Sequence, residues 1–228
     1  MTRNSVQAIM EAIGGSTIQD PTMPTAGGTE WKLWLSFINR SINEWSQAYD
    51  WEDLRAEFPP AISGLTQATI ALPQNFGKLA AAPIHYGTGV AGGEEWPEIL
   101  PEQQKLFSTE TKWSQIRGDI NNGFNLIWNP GTLASGASLI IQYFSIPTSL
   151  ASPAQIPLVP DSQFIVDRVI AYIWEARTDS RFQEQEVKAR ERLLQMIDNA
   201  NVAKYSSYAN PNYILSQSHK SGFRFGRD

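Results

Sequence analysis

The chain has 228 residues, no cysteine, two histidines (His85 and His219), and 18 basic against 23 acidic side chains, a net charge of −5. That length is ample for a buried core. The missing thiols exclude disulfide scaffolds, thiol catalysis, iron–sulfur clusters and cysteine zinc sites. The acidic balance argues against a general nucleic-acid binder. The charge is unevenly spread. Residues 201–228 hold 4 basic and 1 acidic group, or +3, which leaves −8 on residues 1–200.

The N-terminus lacks the continuous apolar run of a signal peptide, and no stretch reaches the roughly 20 apolar residues of a membrane helix. The sequence therefore predicts a soluble protein made in a reducing cytoplasm. Residues 4–13 predict a short helix capped by Asn4 or Ser5, with Val6, Ile9 and Ile13 on one face and Gly14-Gly15 as its stop. A Thr, Pro and Gly-rich loop follows over 16–28. Residues 29–49 carry the first strong helical period, in Trp31, Trp34, Leu35, Ile38, Ile42, Trp45 and Tyr49, with Thr29 as cap. Trp51 and Leu54 extend the apolar surface into a further turn, which Pro59-Pro60 ends.

From about 61 to 147 the apolar period falls toward two. Strands are expected over 67–72, 78–86, 111–117, 123–128 and 138–144, with a short helix from Pro101 through Phe107. Together they read as a small antiparallel β-module. Residues 148–160 form an extended connector. Helical periodicity then returns in Ile165, Val166, Val169, Ile170, Ile173 and Trp174, behind a cap at Asp161 or Ser162. Thr178-Asp179 breaks it, Ser180 with Gln183 resembles a capping box, and a charged second helix runs to about Asn199. Two antiparallel helices joined by a tight turn are expected. Residues 201–228 lack a helical period and predict an extended tail. The expected class is α+β: an antiparallel helical bundle from 1–60 and 155–200, an inserted β-module at 61–154, and the tail at 201–228.

Chemistry-bearing patterns are sparse. Glu94, Glu95, Glu98 and Glu102 make an acidic cluster, without the separated carboxylate pair of a glycosidase or the spacing of an EF-hand. His85 has no Cys or carboxylate pattern beside it. The glycines at 87–93 lack a phosphate-loop signature. No catalytic, metal or cofactor-binding residue is assigned, and no cofactor is expected. Of the eight tryptophans, Trp31, Trp34, Trp45 and Trp174 belong to helix stripes. Trp96, Trp113 and Trp128 fall in the β-module, where surface platforms for carbohydrate remain open. The tail holds aromatic and basic residues of the kind favoured at interfaces.

The order of these parts resembles the head-to-tail adaptor (head-completion, or connector) proteins of tailed bacteriophages, of the short-tailed phage type. FINRSINEWSQAYDWEDLR (37–55) resembles that family's aromatic first helix. ATIALPQNFGKL (68–79) and FNLIWNPGTLASGASLIIQYFSIPTSL (124–150) resemble its β-insertion. IPLVPDSQFIVDRVIAYIWEARTDSRFQEQEVKARERLLQMID (156–198) resembles its closing helical pair. The resemblance spans most of residues 30–200.

What the resemblance implies is a virion structural protein without catalysis, assembled in the host cytoplasm and seated at the head–tail junction. It implies a homo-oligomeric, dodecameric ring between the portal protein and a tail nozzle or tube protein, with genomic DNA passing through the lumen unread and no membrane involved. The tail residues Tyr205, Tyr208, Tyr213, Ile214, Phe223, Arg224, Phe225 and Arg227 would then bind the portal. The alternatives from the residues alone are a carboxylate-dependent glycan hydrolase and a carbohydrate- or receptor-binding virion module.

Overall fold

The computed structural model describes residues 3–17, 24–59, 69–86, 94–107, 112–119, 121–129 and 138–208. They combine helices with antiparallel sheets, an α+β chain. The chain divides into two compact units, Met1–Trp45 with Leu150–Asp228, and Ser46–Ser149.

The first unit holds α1 (Val6–Thr17), α2 (Thr29–Ala48, which runs just past the boundary), α3 (Ser162–Ala176) and α4 (Phe182–Tyr208). In α1 the Ser5 hydroxyl accepts from the Ala8 N–H at 3.3 Å, as an N-cap does. Gly14-Gly15 does not stop this helix, contrary to the sequence expectation. Gly14 is buried, and the hydroxyls of Ser16 and Thr17 donate back to the carbonyls of Ala12 and Ile13, four residues earlier in the helix. The connector binds the start of α1. Gln155 O accepts from Val6 N, and Pro153 O from Gln7 N.

α2 buries Trp31, Trp34, Ile38, Ile42 and Trp45, the stripe expected from the 3.6-residue period. α3 is buried on most sides, with Phe164, Ile165, Val166, Val169, Ile170, Ala171, Tyr172 and Ile173 in the core. Asp161 caps it by accepting from Gln163 N at 3.0 Å. The turn to α4 sits where Thr178-Asp179 was expected to break the helix. Asp179 N donates back to Trp174 O, and the Asp179 carboxylate accepts from Arg181 N. α4 has 27 residues and ends at Tyr208, nine beyond the expected end. The first eight residues of the expected extended tail are therefore helical. They continue a helix that already holds its neighbours in register, and extending a formed helix is far easier than nucleating one. The rest of the tail lies outside the described residues.

The second unit begins with a 3-10 turn at Glu52–Leu54 and strand β1 (Arg55–Phe58), where the sequence suggested a continuing apolar turn. The other strands are β2 (Thr69–Ala71), β3 (Phe76–Leu79), β4 (Ile84–Tyr86), β5 (Glu94–Glu95), β6 (Ser114–Asp119), β7 (Gly123–Trp128) and β8 (Ser138–Ser145). β8 is the spine of one sheet. It pairs with β1 through Ala56↔Tyr143 and Phe58↔Ile141. It also pairs with β3 through Leu79↔Tyr143 and with β4 through Ile84↔Ile140.

The single strand expected over 78–86 is thus two strands sharing β8 end to end. Pro83 lacks the N–H to continue a ladder across the gap. The expected helix after Pro101 is one 3-10 turn, Pro101–Gln103. The second sheet runs β2-β7-β6, with Ile70↔Leu126 and Ile116↔Leu126 in register. Leu72, Phe76, Trp96, Leu126, Trp128, Leu139, Ile141 and Tyr143 form one buried cluster drawn from both sheets.

Candidate functional site

The expected interface residues follow from the course of α4. Tyr205 and Tyr208 occupy its last turn, while Tyr213, Ile214, Phe223, Arg224, Phe225 and Arg227 lie outside the described residues. Upstream, α4 has two distinct sides. Gln185, Ala189 and Met196 are buried. Val187, Leu194 and Val202 are exposed, at 54%, 53% and 68%. Val187 and Leu194 stand seven residues apart, two turns along the same line of the helix, and position 205 continues that line. Arg190, Glu191 and Asp198 flank it and are exposed. An apolar line bordered by both charge signs is a surface suited to protein contact.

Two polar networks fix the orientation of α4. In the first, Arg168 on α3 donates from Nε to Glu44 Oε2 at 2.7 Å and from Nη2 to Oε1 at 3.2 Å, a bidentate pair. The Tyr172 hydroxyl donates to the same carboxylate. Arg168 also reaches Glu186 on α4 at 3.4 Å. The Arg40 and Arg168 guanidinium groups lie 4.3 and 4.7 Å from the Tyr172 ring centre, within cation–π range. Burial opposes ionisation of Glu44, but the bonds from Arg168 and Tyr172 outweigh it and hold its carboxyl below the usual range. Burial, and then the bond to Glu44, push the Tyr172 phenol up to about 12. Arg168 is raised despite its burial, because Glu44 accepts from it.

The second network centres on Asp167, which is 7% exposed. Its carboxylate accepts from Gln163 Nε2 at 2.9 Å, Gln185 Nε2 at 3.1 Å and Arg192 Nε at 2.9 Å. Arg192 also donates to Asp161 at 3.1 Å. Arg192, further along α4 than Glu186, binds Asp161 and Asp167, which precede Arg168 in the chain, so the two helices run antiparallel. Neither network was assigned from the sequence. For Asp167 and Arg168 the available signal was a charged pair inside an otherwise apolar helix, whereas Glu44 and Gln185 lie among polar neighbours in the sequence.

Glu94 and Glu95 are neighbours on β5, and successive strand positions belong to opposite faces. Register places His85 opposite Glu94. Among the described residues, no group of three or more His, Cys, Asp or Glu side chains is placed to hold a metal ion. Trp96, Trp113 and Trp128 are 3%, 4% and 1% exposed, so their rings present no surface platform. No described helix is long and apolar enough to cross a membrane. No protein-family model matches the chain, and no curated protein matches it.

Proposed function

We propose that this protein is a head-to-tail adaptor of a tailed bacteriophage, a virion structural component without catalysis at the head–tail junction. The helices form an antiparallel bundle, and copies of the chain close into a ring between the portal and a tail nozzle or tube protein. Genomic DNA passes through the lumen without sequence recognition. One observation carries this reading. A helical unit, interrupted once by a β-rich unit, ends in a 27-residue helix whose exposed apolar line leads into the basic, aromatic C-terminal stretch. A ring requires two different patches on each subunit. An acidic body with a basic end supplies patches of opposite sign, and an acidic lumen would keep DNA from sticking.

The test is electron microscopy of the full chain mixed with the portal ring of the same phage. The proposal expects an added ring of density beneath the portal. Portal rings that remain bare at micromolar protein would overturn it.

A further inference from the structure

The chain contains one Asn-Gly dipeptide, Asn122-Gly123. It lies in the turn of the β6–β7 hairpin, where Asp119 pairs with Gly123. Asn followed by Gly is the dipeptide most open to deamidation, because glycine has no side chain to hinder attack by its own backbone nitrogen. Gly123 N attacks Asn122 Cγ, the Cγ–Nδ2 bond breaks, and ammonia leaves with the proton taken from Gly123 N. A five-membered succinimide remains. Water then opens it at either carbonyl, to aspartate or isoaspartate.

Asp119 occupies Asn122 from two directions. One carboxylate oxygen accepts from the backbone N–H groups of Asn121 and Asn122 at 2.8 and 2.9 Å, and the other accepts from Asn122 Nδ2 at 2.8 Å. These bonds, that to the Asn122 side chain foremost, keep the Asp119 carboxyl below its ordinary range and ionised.

We propose that Asn122 is a latent modification site, and that Asp119 restrains it by holding the side-chain amide away from ring closure. The carboxylate acts in two ways. It fixes the Asn122 rotamer through Nδ2, and its charge opposes the oxyanion that forms at Cγ when Gly123 N attacks. Conversion would remove the donor that Asp119 holds and set a second carboxylate beside it. The isoaspartyl product would also add a backbone carbon next to Gly123, which stands at φ 82° at the start of β7. The ladder from Asp119↔Gly123 to Ser114↔Trp128 begins at that point.

The test compares full-length wild type with Asp119→Ala in neutral buffer at physiological temperature. Peptide mass spectrometry follows the amide-to-acid mass gain at 121–123, and isoaspartyl methyltransferase labelling identifies the product. Loss of the restraint should accelerate conversion roughly five- to tenfold, the rate equivalent of one charge-assisted hydrogen bond at an exposed site. Asn122→Gln, whose ring closure is disfavoured, should abolish the signal in the Asp119→Ala background. A second comparison avoids the variant altogether: wild type in concentrated urea should convert faster than native wild type. Equal rates in native and unfolded wild type would overturn the proposal, as would equal rates in Asp119→Ala and wild type, or a signal that survives Asn122→Gln.

Discussion

Arg168 and Tyr172 stand one turn apart on α3, and both bind the carboxylate of Glu44 on α2. Removing the cation leaves a part-buried carboxylate without its bidentate partner, which costs more than the net worth of the pair. Arg168→Ala should lower stability by about 2–3 kcal/mol in urea titration. The pH dependence has two limbs. Glu44 titrates below its ordinary value of 4.5 when folded, so its contribution is present above that value and is lost as pH falls through the folded pKa. Glu44→Gln should therefore lower stability at neutral pH and flatten the acid limb. Tyr172 is raised from 10.0 to about 12, so its contribution is present below pH 10 and is lost as pH rises toward 12. Tyr172→Phe should flatten that alkaline decline, measured by chemical denaturation at stepped pH.

The elements differ in how far they could be read from sequence. α2 and α3 follow from apolar spacing, because each has a long buried stripe. β7 and β8 follow from alternation between turn signals. β1 does not, since Arg55–Phe58 has only Ala56 and Phe58 to alternate, and its strand form comes from pairing with β8, 87 positions away along Arg55–Gln142. The end of α4 was misplaced because Ala200, Asn201 and Ala203 weaken its period without breaking the helix.

Two substitutions test elements. Gly118 sits at φ 126°, and a Cβ there would come within 2.1 Å of Gly123 O. Gly118→Ala should cost about 2 kcal/mol or more through strain and displaced backbone in the β6–β7 hairpin. Asp161→Ala removes the α3 cap and one partner of Arg192, and should cost about 1–2 kcal/mol. Both are measured by urea titration of the full chain.

At the scale of the whole chain, the helical unit is assembled from two segments separated by the β-rich unit. Replacing residues 49–149 with a short Gly/Ser linker should leave a chain with the helical circular dichroism of that unit, because the α2–α3 and α3–α4 bonds involve none of the removed residues. A chain that loses its helical signal would show that the unit depends on its insertion. Truncation after Tyr208 should preserve the same spectrum and, on the proposed adaptor function, abolish portal binding in pull-down. The fold class could be read from the order of periodicities. The tail was legible only as composition, because aromatic and basic residues without a period carry no geometry.

The Asn39 side chain both donates to Leu150 O at 3.0 Å and accepts from Leu150 N at 2.8 Å, gripping the chain as it returns from the insertion. Those partners are 111 positions apart. During synthesis, α2 leaves the ribosome long before α3 exists to bind it through Arg168 and Tyr172. At about 5–20 residues per second, roughly 5–20 s pass while the insertion is made. Through that interval Glu44 and Phe37 on α2 have no Arg168 or Tyr172 to meet. The yield of folded chain should therefore depend on translation speed more steeply than its stability would suggest.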